Sequence, residues 1–367
     1  MSAAVATEAR PRRLGIDRQP YRIGVIPGDG TGPEVVGEAL RILEVVREGF
    51  EVELEHFDLG AERYLRTGEV LPDEELVRLA GCHALLLGAV GDPRVPPGIL
   101  ERELLLRIRF ELDQYVNLRP VVRYPGVQTL VPSHTEDDVH MVVVRENSEG
   151  LYSGAGGFHR KGTEHEVAVQ ESINTRHGVE RVVWYAFDLA MRPTRRRKVT
   201  LVHKTNVLTY AGDLYRRVVE EMATAFPDVQ ADYAHVDAAC LYLIEDPSRF
   251  DVIVTDNMFG DIITDLGAVI QGGLGIAAGG NINPTGVSMF EPIGGTAPSE
   301  TGKHTINPLA AIGALMLLLH ELGEHAAADR VDRGIRFAVS KMTSMRAGEM
   351  GFSTSEVGDL VVEGTAT

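Results

Sequence analysis

The sequence has little cysteine, no long apolar run and no excess of positive charge. Its two cysteines, Cys82 and Cys240, cannot form a disulfide framework, and both stand in apolar stretches, so we expect reduced core residues. The longest apolar run, from Leu309 to Leu319, is too short to cross a bilayer. These absences exclude a disulfide-stapled secreted domain and a membrane-spanning helix.

The charge balance narrows the classes of partner. A net charge of −17 argues against a general nucleic-acid surface and against an anionic membrane. The first 20 residues lack the apolar segment of a signal peptide and are expected to form a disordered lead. We therefore expect a cytoplasmic protein that acts on a small molecule.

Strand patterns alternate with helical patterns, which predicts an α/β fold. The expected strands are Tyr21–Ile26, Glu51–Phe57, Ala84–Leu87, Met141–Arg145, Lys198–His203 and Asp251–Thr255, and the clearest helices are Pro33–Arg47 and Val207–Ala223. The polar, glycine-rich stretch from Leu151 to Glu166 predicts a hairpin or arm outside the core.

Two aspartates four residues apart follow one of these strands. The apolar run ends at Thr255, Gly260 is expected to break it, and Asp261 and Asp265 then share one face of a helix. Two hard oxygen ligands on one face suit Mg²⁺ or Mn²⁺, although aspartate is also favoured in a first helical turn for capping alone. A third acid in apolar surroundings, Asp237, strengthens the metal interpretation.

A glycine-rich loop, Gly28–Glu34, joins the first strand to the first long helix. It resembles a dinucleotide-binding loop, but one residue, Thr31, separates its second and third glycines where the Rossmann fingerprint needs two. A tight turn that serves backbone geometry is the better interpretation.

Arginines form a second candidate group. Arg109 and Arg119 flank the segment FELDQYVNL, and Arg145 ends an apolar strand. Guanidinium groups bind carboxylates with two parallel hydrogen bonds, and α/β proteins place ligands at strand ends. Lys204 follows another strand and is a candidate base, and Tyr152 joins the same group of candidate residues. An exposed surface role remains the alternative for each cation.

Together these residues suggest a metal-assisted reaction on a small polycarboxylate. His203 and His235 are better explained as structural residues. The residues alone leave the reaction and the cofactor open.

Seven segments make the sequence recognisable: IPGDGTGPEVV, LLLRIRFELDQYVNLRPV, VVVRENSEGLYSG, LVHKTNVL, HVDAA, FDVIVTDNMFGDIITDL and MFEPIGGTAPSETGKHTINPLAAI. They stand in the order seen in the β-decarboxylating dehydrogenases, which the chain resembles from roughly Tyr21 to Leu360. The resemblance implies a non-Rossmann α/β protein with a discontinuous first domain (21–117 plus 272–367), a second domain (118–271) that carries an arm, and a homodimer with shared active sites.

The same resemblance implies a role for each candidate residue. The three arginines would hold the substrate. Lys204 of the partner subunit would deprotonate the substrate hydroxyl, and Tyr152 would protonate the substrate carbon. The implied metal ligands for Mg²⁺ or Mn²⁺ are Asp261 and Asp265 of one subunit and Asp237, which also faces substrate, of the other.

Substrate choice depends on Leu105 and Leu106, which are apolar where isocitrate enzymes carry a hydroxyl and an amide. Apolar groups would accept an isopropyl group and leave a carboxylate unpaired. The segment from Leu100 to Pro120 looks most like isopropylmalate dehydrogenases of the actinobacterial kind, which act in leucine biosynthesis. A tartrate/D-malate dehydrogenase or a paralogue from a specialised pathway is the alternative.

The cofactor loop departs from the family pattern, because Gly294 replaces a histidine and Ser299 occupies the position that is usually aspartate in NAD enzymes. We expect NAD, since the loop offers no cation before Lys303. The residues expected to contact the cofactor are Asn206, Glu291, Gly294, Gly295, Thr296, Ala297, Pro298, Ser299 and Asn307.

Overall fold

The computed structural model describes residues 19–131 and 134–366. The expected lead, residues 1–20, lies outside this range except for its last two residues. Contacts divide the described residues into two compact units. The first holds the chain up to Gln114, the segment Arg123–Glu136 and the chain from Ala268 onward, and the second holds Tyr115–Val122 and Asp137–Gly267. The expected domain bounds stay a prediction, and they differ from these units chiefly at Arg123–Glu136.

The described residues form strands and helices in alternation. The strands are β1 Tyr21–Gly28, β2 Val52–His56, β3 Ala84–Ala89, β4 Val116–Val122, β5 His140–Glu146, β6 Gly156–His159, β7 Val167–Gln170, β8 Lys198–His203, β9 Gln230–His235, β10 Val252–Thr255, β11 Ala278–Ile282 and β12 Ser288–Pro292. The α-helices are α1 Gly32–Val46, α2 Ala61–Thr67, α3 Asp73–Ala80, α4 Arg107–Glu111, α5 Arg176–Ala190, α6 Thr209–Ala225, α7 Val236–Glu245, α8 Asn257–Gln271, α9 Leu309–Glu321, α10 His325–Lys341 and α11 Thr354–Thr365.

The first unit contains five neighbouring strands in the order β2-β1-β3-β12-β11. Strand β1 runs parallel to β2 and β3, β12 runs parallel to β3, and β11 is antiparallel to β12. Every residue of β3 is buried, as expected for a central strand covered on both faces. Helix α9 is apolar on nearly all sides because it is largely buried in the same unit.

The second unit contains five strands in the order β4-β5-β10-β8-β9. Strand β4 is antiparallel to β5, whereas β5, β10, β8 and β9 run parallel. The carboxyl ends of these parallel strands therefore meet at one edge, where Arg145 and His203 stand. The predicted α/β class is confirmed.

Two local expectations have mixed outcomes. The arm is a hairpin of β6 and β7, whose residues are all exposed. Its second strand, β7, begins after Glu166 and therefore lies outside the predicted stretch. Both cysteines are free, but only Cys82 is buried, and Cys240 on α7 is half-buried, which corrects its prediction as a core residue. Across the described ranges, no helix combines the length and apolar character that a bilayer crossing requires.

Candidate active site

Arg145 is the centre of a polar cluster in the second unit. It stands at the end of β5, and its side chain is only 3% exposed. Its Nε and Nη2 atoms donate to Asn257 Oδ1 at 3.1 and 2.8 Å, and its Nη1 atom donates to Asp261 Oδ1 at 2.5 Å. Two partners from one helix thus fix the plane of the guanidinium.

Helix α8 supplies those partners because it begins earlier than the sequence suggests. Gly260 does not break the chain; it lies inside α8, one turn after Asp256, whose carbonyl accepts from its N–H group. A Cβ atom at Gly260 would lie 2.4 Å from Cγ of Arg145. The glycine is therefore required by the close approach of the arginine, and the predicted break is wrong.

Tyr152 completes this cluster. It lies in a 3₁₀ turn that follows Gly150, a glycine with φ of 73°. Its hydroxyl donates to Asp261 Oδ2 at 3.0 Å, and its ring lies 5.2 Å from the guanidinium carbon of Arg145. Burial raises the pKa of the Tyr152 hydroxyl, and the charge of Asp261 raises it further. The phenol therefore keeps its proton, as a proton donor must.

Lys204 and Asp237 form a second pair. Lys204 follows β8, and Asp237 stands in the first turn of α7. The Lys204 Nζ atom lies 2.7 Å from Asp237 Oδ1, and this hydrogen bond lowers the pKa of the Asp237 carboxyl. Asp237 is largely exposed, so both groups are accessible from outside the chain.

The three predicted metal ligands do not gather in one chain. Asp265 lies one turn after Asp261 on α8 and is exposed. Among the described residues, no group of three histidine, cysteine, aspartate or glutamate side chains is placed to hold an ion. Asp261 and Asp265 offer hard oxygen donors that fit Mg²⁺ or Mn²⁺, while Asp237 is engaged by Lys204.

The other two arginines have partners within their own units. Arg119 Nε donates to Asn117 Oδ1 at 2.7 Å in the second unit. Arg109, in the first unit, donates from Nη2 to Glu291 Oε1 at 3.1 Å, and Asn281 Nδ2 donates to the same oxygen at 2.9 Å. Glu291, which is expected to contact the cofactor, is thereby held beside Arg109, a candidate substrate-binding residue.

Leu105 and Leu106 lie at the end of a π-helical segment, Glu101–Leu106, that leads into α4. Both are half-buried. Leu105 packs against the apolar cluster of the first unit, which also contains Leu104 and Ile108. Leu105 therefore has a packing role in addition to any contact with substrate.

A cavity of about 910 Å³ opens in the first unit. Its walls come from the loop after β1, the segment 126–130, the loops around Gly273 and Gly295, and the segment 342–349. Of the expected cofactor contacts, four line it: Gly294, Gly295, Ala297 and Asn307.

The glycine-rich loop closes one side of this cavity. Gly28 and Gly30 have φ of 72° and 58°, and added Cβ atoms would lie 2.0 Å from the Ala89 carbonyl oxygen and 2.3 Å from that of Thr296. The interpretation as a tight turn is thus supported. Thr31 also donates to the Thr296 carbonyl, from N at 3.0 Å and from Oγ1 at 3.1 Å.

The turn that contains Ser299 lies beside the cavity. Ala297 has φ of 41°, and Pro298–Glu300 forms a 3₁₀ turn. Glu300 accepts from Lys303 Nζ at 3.3 Å and from Thr305 Oγ1 at 3.2 Å, and Lys303 lowers the pKa of its carboxyl. Asn206 lies in the second unit, exposed, after β8.

Sequence reasoning missed two residues that organise these sites. Asn257 holds Arg145 and stands four residues before Asp261. The four-residue spacing that places Asp261 and Asp265 on one helix face therefore also places Asn257 there. Asp29 accepts from the N–H groups of Ala61 at 2.8 Å and Gly91 at 2.9 Å, and it thereby ties the glycine-rich loop to two other loops. No local signal indicates those distant partners.

Known proteins resemble the chain throughout. The family described as isocitrate/isopropylmalate dehydrogenase matches residues 22–361. The 3-isopropylmalate dehydrogenase of Frankia casuarinae is 54% identical over 92% of this chain and 97% of its own length. That of Thermobifida fusca is 52% identical over 94% and 98%.

A solved structure agrees with these sequence matches. The isocitrate dehydrogenase of Methylococcus capsulatus is 34% identical, covers 95% of this chain and all of its own, and superimposes with a TM-score of 0.86. Sequence and structure lead to one conclusion: the chain belongs to the isocitrate/isopropylmalate dehydrogenase family.

Proposed function

We propose that the chain is an NAD-dependent 3-isopropylmalate dehydrogenase of leucine biosynthesis. It would convert (2R,3S)-3-isopropylmalate to 4-methyl-2-oxopentanoate and CO₂ with reduction of NAD. The observation that carries the proposal is the cluster of Arg145, Asp261 and Tyr152, which joins an anion-binding group, a metal-type ligand and a proton donor within hydrogen-bonding distance. Relatives at 52–54% identity are named 3-isopropylmalate dehydrogenases, which supports the proposal.

The arginines would bind the substrate carboxylates. Asn257 already orients the guanidinium of Arg145, so little conformational freedom is lost when a carboxylate binds. Arg109 and Arg119 are fixed in the same way by Glu291 and Asn117.

Lys204 and Tyr152 would move the protons. Lys204 would take the proton of the substrate hydroxyl, with Asp237 at 2.7 Å to stabilise the ammonium that results. Tyr152 would give a proton to the carbon that loses CO₂, since burial and Asp261 keep its hydroxyl protonated. For Tyr152 this role matches the protonated state that its surroundings favour.

A divalent metal and NAD would supply the remaining chemistry. Asp261 and Asp265 would hold Mg²⁺ or Mn²⁺ together with Asp237 of a second copy. When bound, the ion would supply positive charge beside the oxygens on which negative charge develops, and NAD would accept the hydride.

We infer a homodimer with shared active sites. The half-buried Lys204 and the exposed Asp237 form one pair, and no hydrogen bond or ion pair in the described ranges connects them with Arg145, Tyr152 or Asp261. Exposed apolar side chains of the second unit are available for contact with a second copy. They include Leu241 (60% exposed), Phe158 (56%) and Ile262 (47%).

Metal dependence tests the chemistry proposed for the aspartates. Chelation should abolish NADH formation from 3-isopropylmalate, and Mg²⁺ or Mn²⁺ should restore it. Asp261→Asn should raise the metal concentration needed for half-maximal activity roughly 10- to 100-fold, because it removes ligand charge. Full turnover after exhaustive chelation would refute the proposed function.

A further inference from the structure

We propose that Tyr233 is a positioning residue for Lys204, because its hydroxyl group fixes the backbone that carries the lysine. This inference rests on the proposed function, since it takes Lys204 as the group that removes the substrate proton. Tyr233 stands on β9, which runs parallel to β8. Lys204 directly follows β8, so the two residues lie at the same end of this strand pair.

The Tyr233 hydroxyl contacts the residues on both sides of Lys204. Its oxygen lies 3.2 Å from the carbonyl oxygen of His203, the residue before the lysine. It also accepts at 3.2 Å from the N–H group of Thr205, the residue after the lysine, and it lies 2.9 Å from Thr205 Oγ1. One side chain therefore holds both peptide units that flank Lys204.

His235 gives the hydroxyl a further partner. Its Nδ1 atom lies 2.7 Å from the Tyr233 oxygen, and the two rings pack edge to face with centroids 5.1 Å apart. A hydroxyl carries one proton, so it can donate to either His235 Nδ1 or the His203 carbonyl while it accepts from the Thr205 N–H group. The bond to Thr205 is therefore compatible with both neutral tautomers of His235.

The loop after Lys204 is anchored at its other end. The Lys204 carbonyl accepts from the N–H groups of Val207 at 3.1 Å and Leu208 at 2.9 Å. Thr205 packs against Gly212 of α6, where an added Cβ atom would lie 2.7 Å from the Thr205 Cα atom. A lysine ammonium is a compact charge on a flexible stem, so its mean position follows from the backbone that carries it. Loss of the Tyr233 hydroxyl would thus release the lysine from β9.

Steady-state kinetics of Tyr233→Phe tests this, because the variant removes the hydroxyl and keeps the ring. Tyr233 is 37% exposed, so the fold should tolerate the change, and thermal unfolding would verify it. We expect kcat to fall roughly 10- to 100-fold, the effect of a misplacement of up to about 1 Å. The KM for 3-isopropylmalate should stay within about two-fold, because the arginines that bind its carboxylates are unchanged.

Tyr242→Phe, on α7 of the same unit, is the matched control. Its ring lies 3.7 Å from the guanidinium carbon of Arg249, and its hydroxyl has no hydrogen-bond partner among the described residues, so kcat should not change. A kcat for Tyr233→Phe as high as that of this control overturns the inference. A higher metal requirement in Tyr233→Phe without a fall in kcat would assign its role to Asp237 and also overturns it.

A double-mutant cycle separates the positioning of Lys204 from a general structural role. If Tyr233 acts through Lys204, Tyr233→Phe should change the residual kcat of Lys204→Ala by less than about two-fold. The same fractional loss of kcat in both backgrounds would show that Tyr233 acts independently of Lys204, which overturns the inference.

The same variants distinguish this inference from the proposed function. Lys204→Ala alone should be nearly inactive, because it lacks the proposed base. A Lys204→Ala enzyme with the original kcat would overturn the proposed base and the inference together. A nearly inactive Lys204→Ala enzyme beside a fully active Tyr233→Phe enzyme would overturn the inference alone.

Discussion

At the scale of single residues, Tyr152 is the group whose removal changes the chemistry most selectively. Tyr152→Phe removes the hydroxyl that donates to Asp261 Oδ2 and keeps the ring beside Arg145. We expect kcat to fall roughly 100- to 10,000-fold, the usual loss for a general acid, with little change in the KM for substrate. Steady-state kinetics would measure both. Tyr64→Phe, on α2 of the first unit, is the control, and a Tyr152→Phe enzyme with kcat near that of the original contradicts the assignment.

Two buried residues in contact, His203 and Asp256, predict how stability depends on pH. His203 is fully buried, and its Nε2 atom lies 3.4 Å from Asp256 Oδ2. Within the described part of the chain, neither of its ring nitrogens has a hydrogen-bond partner. Burial lowers the pKa of His203 from 6.5 to about 4 and raises the pKa of Asp256 from 3.8 to about 6. The charges of Glu146 and Arg145 act on Asp256 in opposite directions.

These two shifts act oppositely on stability. The folded state binds fewer protons at His203 than the unfolded state between about pH 4 and 6.5, so this contribution rises with pH. It binds more protons at Asp256 between about pH 4 and 6, so that contribution falls as pH rises. Together they nearly cancel.

Asp256→Asn should expose the histidine contribution alone. Relative to the original protein, the free energy of unfolding of the variant should rise between about pH 4 and 6, where the contribution of Asp256 has been removed, by about 3 kcal/mol at most. Denaturant unfolding at several pH values measures this. The comparison with the original protein removes the common contribution of Glu146. Parallel stability curves for the two proteins would show that the pair does not titrate as described.

At the scale of elements, helix α8 contains Gly260 at a position where helix propensity alone would favour alanine. Alanine favours a helix interior over glycine by about 1 kcal/mol, and at Gly37 of α1 a Cβ atom would meet nothing within 4 Å. Gly37→Ala should therefore stabilise the protein by up to about that amount. At Gly260 the same change meets Cγ, Cβ and Cδ of Arg145 at 2.4, 2.7 and 2.8 Å.

We expect Gly260→Ala to displace Arg145 and to lower kcat/KM roughly 100-fold, the effect of a misplacement of about 1 Å. Thermal unfolding and steady-state kinetics of both alanine variants would separate stability from activity. A Gly260→Ala enzyme with the original kcat/KM would show that the position of Arg145 is not set by this contact.

Physical reasons decide which elements and contacts can be predicted from the sequence and which cannot. The α/β alternation and the strand Lys198–His203 were predictable because buried parallel strands require continuous apolar runs. The shared face of Asp261 and Asp265 followed from helical spacing. Gly260 was misread because a glycine can end an element or permit a close approach, and the local sequence does not show Arg145 packed against it. The pairing of Arg109 with Glu291, 182 residues apart, has no local signal.

At the scale of the whole molecule, shared active sites predict complementation between two defective variants. Lys204→Ala and Tyr152→Phe should each give a nearly inactive homodimer. If each site takes Lys204 from one subunit and Tyr152 from the other, a mixed dimer contains one site with both residues intact. Random pairing of the two variants should then restore roughly a quarter of the original activity.

Co-expression of the two variants with different affinity tags would isolate the mixed dimers for assay. Mixed dimers that stay at the activity of the two homodimers would contradict shared sites. Such a result would assign Lys204 and Tyr152 to the same site within one chain.

Substrate choice tests the central claim most directly. The measurement is kcat/KM for 3-isopropylmalate, D-malate, tartrate, isocitrate and homoisocitrate with NAD and Mg²⁺, with identification of the oxo acid that forms. Apolar contacts at Leu105 and Leu106 favour an isopropyl group by about 1–3 kcal/mol, so kcat/KM for 3-isopropylmalate should exceed that for D-malate roughly 10- to 200-fold. Equal or higher kcat/KM for D-malate, tartrate or isocitrate would contradict the account.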